Sequence, residues 1–160
     1  MRYNKSTMPK KRTVATTKRI TNRRARHDYE LGDSLVVGVA LTGGETKALR
    51  MGHGQLRGAY VTIKDNELWL VNATINGTRG VHIAEPAQAR NRKLLAKHRE
   101  IKALVEAKQQ GRTIVPLELL TMGRYIKLKI AIGRGKKHYD KREALKKRDA
   151  ARRTAELTRT

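Results

Sequence analysis

Cysteine is absent from the 160 residues. The chain therefore holds no disulfide and no thiolate metal site. Phenylalanine is absent too, and one Trp and five Tyr are the only aromatics. That scarcity argues against a sheet that stacks several bases on exposed rings. Acidic residues are few: 14 Asp and Glu stand against 37 Lys and Arg, for a formal net charge of +23. No apolar run approaches the roughly 20 residues of a membrane-spanning helix. The N-terminus lacks the apolar centre of a signal peptide. These absences predict a soluble, cytoplasmic protein with no membrane partner.

Catalytic signatures are also missing. There is no Gly-x-Ser-x-Gly elbow, Walker loop or dinucleotide fingerprint. "GGETKALR" lacks the Gly-Lys-Ser/Thr ending of a phosphate loop. His27, His53, His82, His98 and His138 never pair at a metal-binding spacing with a third ligand nearby. Asp28 and Glu30 would share a strand face, which simple alternation produces without any acid–base role. The expectation is no enzyme, no metal and no cofactor.

What is present is positive charge, unevenly placed. Residues 1–26 hold ten basic residues and no acidic one. Residues 134–160 hold eleven basic and four acidic, whereas 27–133 hold sixteen basic and ten acidic. Two basic arms thus flank a nearly ordinary domain, and an anionic polymer is the expected partner. Residues 1–21 lack periodicity and read as a disordered arm, 22–133 as the folded domain, and 134–160 as a basic tail.

Within the domain, "LVVGVAL" (35–41) reads as a buried strand. "GGETKALRMG" suggests a short helix over Glu45–Arg50, ended by Gly52. "AYVTIKDNELWLVNATI" reads as a hairpin turning at Asp65-Asn66, with a return strand from Glu67 to Ile75. Leu94, Leu95, Ile101, Leu104 and Val105 recur at helical spacing, which predicts a helix from about Gln88 to Gln110, ended by Gly111. "TIVPLELL" and "YIKLKIAI" form a second strand pair, in which Pro116 implies an edge or a bulge. Five or six antiparallel strands with two helices are best closed into a small barrel, because closure removes exposed edges.

The basic motifs admit two readings each. "NRRARH" (22–27) is either a charged edge that blunts aggregation or a set of arginine forks for phosphate. "RNRKLLAKHRE" places Arg92, Lys93 and Lys97 on a face that is either solvated or RNA-facing. The tail "GKKHYDKREALKKRDAARR" has Glu143 four residues before Lys147 and Asp149 four before Arg153, the favourable helical order. Its large apolar residues are only Leu145 and Leu157, so no stripe docks on a core. A lone helix of that length is marginal in water. The tail is then either a solubilising appendage or a segment disordered alone and helical against a polyanion.

"NRRARHDYEL", "VALTGGETKALRMG", "AYVTIKDNELWLVNATI", "RNRKLL" with "HREI", and "GKKHYDKREALKKRDAAR" occur in this order. On these motifs the chain resembles the small protein B family, the SsrA-binding (transfer-messenger RNA-binding) proteins of bacteria. The resemblance covers about Asn22 to Arg153. It implies an oligonucleotide-binding-like (OB-like) barrel with flanking helices and a non-enzymatic role in trans-translation. Such a protein binds the transfer-RNA-like part of transfer-messenger RNA. It escorts that RNA, with the elongation factor that delivers aminoacyl-tRNA, to ribosomes stalled on a broken message. The tail would fold into a helix in the empty decoding centre and message channel of the small subunit.

Site residues follow from the resemblance position by position. Asn22, Arg23, Arg24 and His27 match the family's "NRKARH" and are implied RNA contacts. Glu45 and Lys47 match its "TGTEVK"; Arg92, Lys93 and Leu95 match its "TRKLLL". In the tail, Lys136, Lys137, Asp140, Lys141 and Arg142 match "GKK..DKR", and Tyr139 supplies a ring before the Asp. Lys146, Lys147 and Arg148 follow along the message path. Val36-Val37-Gly38 departs from the family's frequent Glu-Ala-Gly.

Overall fold

A computed structural model describes residues 19–157, apart from the side chains at 138–141, 144, 156 and 157. The N-terminal arm up to residue 18 lies outside the described residues. Among the described residues no helix is long and apolar enough to cross a membrane.

The first described element lies just before the first motif. Strand β1 (Ile20–Thr21) pairs with the end of a later strand, and Ile20 is buried. Helix α1 (Ala25–Asp28) is a single turn, so Asp28 ends a helix and does not share a strand with Glu30. Strand β2 (Tyr29–Val39) is longer than the expected 35–41 run, because "YELGDS" pairs as well, through a register shift between Leu31 and Ser34. Helix α2 (Gly43–Arg50) starts at a reciprocal capping box. Glu45 N donates to Thr42 Oγ1, and Thr42 N donates to the Glu45 carboxylate at 2.9 Å. Gly52, at φ 87°, carries the chain out of the helix as expected.

Strands β3 (Gly54–Gln55), β4 (Tyr60–Lys64) and β5 (Glu67–Val71) follow, with β4 and β5 forming the predicted hairpin. Asp65 and Asn66 take the left-handed angles that turn needs, φ 52° and 58°. The return strand does not run on to Ile75. Asn72 turns left-handed at φ 61°, and β6 (Thr74–Ile75) leaves to pair with β3 in a separate two-stranded sheet.

The expected helix from Gln88 to Gln110 is three elements. Helix α3 (Glu85–Gln88) is one turn, β7 (Arg92–Leu95) is a strand, and α4 (His98–Gln109) is the true helix, ended at Gly111. Leu94 and Leu95 therefore lie on a strand, one pointing in and one out. That strand joins β5 to β2, a position a helix cannot fill. The period-two pattern of β7 was hidden because its other inward residue is Arg92.

Strands β8 (Thr113–Leu120) and β9 (Lys127–Gly135) complete the sheet, and the bulge expected at Pro116 falls between Pro116 and Glu118. The order β8-β4-β5-β7-β2-β9 closes on itself through the β8–β9 pairing, with β1 added to β8. This is the small antiparallel barrel the pattern predicted, and the OB-like one the resemblance implied. Its interior holds Leu68, Leu70, Leu94, Ile114, Leu128 and Ile130, all within 2% of full burial. Helix α5 (His138–Leu157) extends from the end of β9, and its described side chains are exposed.

Candidate nucleic-acid interface

Strand β9 sets the site. Ile126, Leu128 and Ile130 fill the barrel, so the residues between them, Lys127 and Lys129, face outward. Lys127 lies opposite Gly38 and Lys129 opposite Val36 on β2. Gly38 in turn lies opposite Leu95 on β7, and Lys93 lies opposite Trp69 on β5. Directly opposed residues of an antiparallel pair share a face. One outer wall therefore carries Trp69, Lys93, Leu95, Gly38, Val36, Lys127 and Lys129.

At its middle is a notch. A Cβ on Gly38 would stand 3.2 Å from the Leu95 Cβ, so any larger residue there would press on Leu95. Leu95 is 55% exposed and Val36 44%, giving an apolar floor flanked by lysines. Lys93 is held in an ion pair with Glu67. Cations at the rim suit phosphate, and the floor suits the flat face of a base or a sugar edge.

The wall continues toward the N-terminal motif. Lys129 also lies opposite Glu118, which lies opposite Thr21. A groove there is lined by Arg19, Asn22, Arg23, Arg26 and Lys129 together with Glu118, whose carboxylate pairs with Arg19 at 3.6 Å. Asn22 is fixed by its amide, which donates to the Pro116 carbonyl at 3.0 Å. Lys129 thus joins "NRRARH" to the β7 motif on one surface. Arg24 faces the adjoining groove with Arg57 and Gln55. His27 is half-buried, its Nδ1 2.9 Å from Asp28 Oδ1.

Two of the implied contacts are not at the surface. Arg92 is 0% exposed and Glu45 1%. All five guanidinium N–H bonds of Arg92 are engaged: Nε to Glu45 Oε1, Nη1 to the Ala73 and Arg90 carbonyls, and Nη2 to the Ala87 and Gln88 carbonyls. Glu45 also receives a bidentate pair from Arg90, at 2.8 and 2.6 Å. Burial alone would raise the Glu45 carboxyl. The Arg90 bonds, the Thr42 N–H and the charge of Arg92 outweigh it and hold the group below its ordinary value. Burial pulls the Arg92 guanidinium down, opposed by Glu45. This network locks α2 and the α3–β7 segment onto the barrel, so Glu45 and Arg92 are buried structural partners with no exposed face. Lys47 is exposed on α2 and lines neither groove.

The tail is anchored at its root. Lys136 N donates to the Asp28 carbonyl at 2.9 Å, and Lys136 Nζ donates to the Arg26 carbonyl at 3.0 Å. Beyond it, Lys137, Arg142, Lys146, Lys147 and Arg148 are exposed. The side chains of Tyr139, Asp140 and Lys141 lie outside the described residues.

Lys127, Lys129 and Arg90 were not singled out from sequence, although the alternation of "YIKLKIAI" already put both lysines on an outer face.

A model of the family described as SmpB protein matches residues 19–160. This chain belongs to the SmpB protein family. It is 42% identical over 156 residues to the SsrA-binding protein of Oleidesulfovibrio alaskensis, covering 92% of this chain and 96% of that one. It is 44% identical over 136 residues to the SsrA-binding protein of Carboxydothermus hydrogenoformans, covering 82% and 89%. A solved chain from "tmRNA-SmpB: a journey to the center of the bacterial ribosome" superposes with a TM-score of 0.62 at 36% identity, over 79% of this chain and 94% of that one. Family and fold thus agree with the resemblance read from the motifs.

Proposed function

We propose that this chain binds transfer-messenger RNA and delivers it to stalled ribosomes for trans-translation. The observation that carries the reading is the predominantly basic wall running from Arg23 and Arg26 through Lys129 and Lys127 to Leu95 and Lys93, with Glu118 and Glu67 paired within it, in a chain of the SmpB protein family. The wall offers separated cations around an apolar notch, which suits a folded RNA recognised by shape and backbone.

The role is non-enzymatic. The wall combines cations with an apolar floor, its carboxylates Glu67 and Glu118 are paired with Lys93 and Arg19, and Glu45 is neutralised by two arginines and buried. Helix α5 serves the ribosome. It carries exposed Arg142, Lys146, Lys147 and Arg148, so it enters the decoding centre and empty message channel and is stabilised there by rRNA phosphate. The elongation factor that delivers aminoacyl-tRNA is met indirectly, through the shared RNA. The place of action is the cytoplasm, where ribosomes stall.

The test is binding to transfer-messenger RNA at moderate salt, compared with an unrelated hairpin RNA of equal length. Tighter binding to the former is expected; equal binding would remove the reading.

A further inference from the structure

The turn between β8 and β9 carries a ring that neither groove uses. Tyr125 is 67% exposed and Met122 70%. A single exposed apolar side chain needs no explanation, but the backbone that carries this ring is tied down on both sides. Arg50 Nη2, at the end of α2, donates to two of its carbonyls, Gly123 O at 3.2 Å and Arg124 O at 3.0 Å. The Arg124 guanidinium carbon lies 5.4 Å from the Tyr125 ring centroid. The next residue, Ile126, is buried in the barrel and anchors the turn on that side.

The ring is also in phase with the wall. Tyr125 and Lys127 are exposed and Lys129 half-buried along one alternating run, with Ile126, Leu128 and Ile130 inward. The turn 121–126 contains no acidic residue. A ring at the end of a row of lysines, backed by a guanidinium, suits a nucleobase with its phosphate on the neighbouring cation.

We propose that Tyr125 is a stacking platform for an unpaired RNA base, held in place by the Arg50 clamp. It extends the Lys127–Lys129 wall onto the turn. The proposal rests on the RNA-binding reading above and adds a base contact to a surface otherwise read as backbone-directed.

The test uses the full chain with Tyr125→Ala, Tyr125→Phe and Tyr125→Trp. Two sets of RNA are titrated: a transfer-messenger RNA transcript, and a short adenosine-rich single strand beside a blunt RNA duplex. Tyr125→Ala should weaken binding to the transcript and the single strand roughly 5- to 100-fold, as loss of one base–aromatic stack does. It should leave the duplex and the salt dependence unchanged, because no phosphate contact is lost. Tyr125→Phe and Tyr125→Trp should bind like the parent, and Arg50→Ala should weaken the same RNAs as Tyr125→Ala. Parent-like binding of Tyr125→Ala to the single strand would overturn the proposal and leave Met122 and Tyr125 as a protein-docking patch. Equal losses in Tyr125→Phe and Tyr125→Ala would overturn it too, since the hydroxyl and not the ring would then matter. Failure of the parent chain to prefer the transcript over an unrelated hairpin sinks the functional reading instead. The single-strand comparison still decides the role of Tyr125 in that case.

Discussion

Glu45 and Arg92 meet at 3.0 Å across 47 residues of sequence, and neither reaches water. One caps α2 and the other fills the inner side of β7, so their pair, with Arg90 as the second partner of Glu45, ties two segments to the barrel. Removing one partner strands the other in the interior, which costs about 3–5 kcal/mol for a buried pair. Glu45→Ala should therefore lower the urea midpoint sharply with an unchanged slope. The RNA affinity of the folded fraction should match the parent. A stable Glu45→Ala chain with weakened RNA binding would instead make Glu45 a contact.

The same pair gives stability a pH dependence. Burial opposes ionisation of Glu45, but Arg90, Thr42 N–H and Arg92 outweigh it and hold the carboxyl below its ordinary 4.5. A depressed folded value means the stabilisation is complete above the unfolded value and is lost as pH falls through the folded one. Acid unfolding of the parent should thus steepen below about pH 4.5. Glu45→Gln, which cannot ionise, should be less stable at neutral pH and show a shallower acid slope. Parallel acid curves for the two chains would contradict this.

Lys127 and Lys129 should act as phosphate contacts. Each neutralised phosphate contributes about 0.7–0.9 to the slope of log affinity against log salt. Lys127→Ala and Lys129→Ala should each weaken RNA binding and lower that slope by roughly one such unit. Lys47→Ala, outside both grooves, should change neither. The measurement is a set of binding titrations at several salt concentrations. A parent-like slope in both wall variants would show that the wall does not meet the RNA backbone.

Much of this architecture was legible in the sequence. The Asp65-Asn66 turn, the Pro116 bulge and the barrel closure all follow from local rules that the packing did not override. Strand β7 was not legible. Arg92 and Leu94 face inward while Lys93 and Leu95 face outward, so hydrophobicity alternates nowhere in "RKLL". The adjoining α4 then lent its helical period to the whole stretch. Arg92 read as surface charge for the same reason, because nothing in its neighbours announces a carboxylate 47 residues away. The wall was half legible: the alternation exposed Lys127 and Lys129, but only the pairing of β2 with β9 and β7 sets them beside Leu95.

The division of labour between barrel and tail can be tested at one bond. Strand β9 runs to Gly135, so a chain ending there keeps every strand and both grooves while losing α5. It also loses Lys136 and its two bonds, to the Asp28 and Arg26 carbonyls, which tie the tail to α1 and belong to no strand pairing. Truncation after Gly135 should leave transfer-messenger RNA affinity nearly intact and abolish peptide tagging on stalled ribosomes. Within the tail, Tyr139→Ala should slow single-turnover tagging more than Lys147→Ala. A stacked ring is one geometrically specific contact, whereas one exposed lysine among several adds only diffuse attraction. Joint loss of RNA binding and tagging on truncation would mean the tail belongs to the RNA-binding surface. Equal defects in the two point variants would mean the tail acts by charge alone.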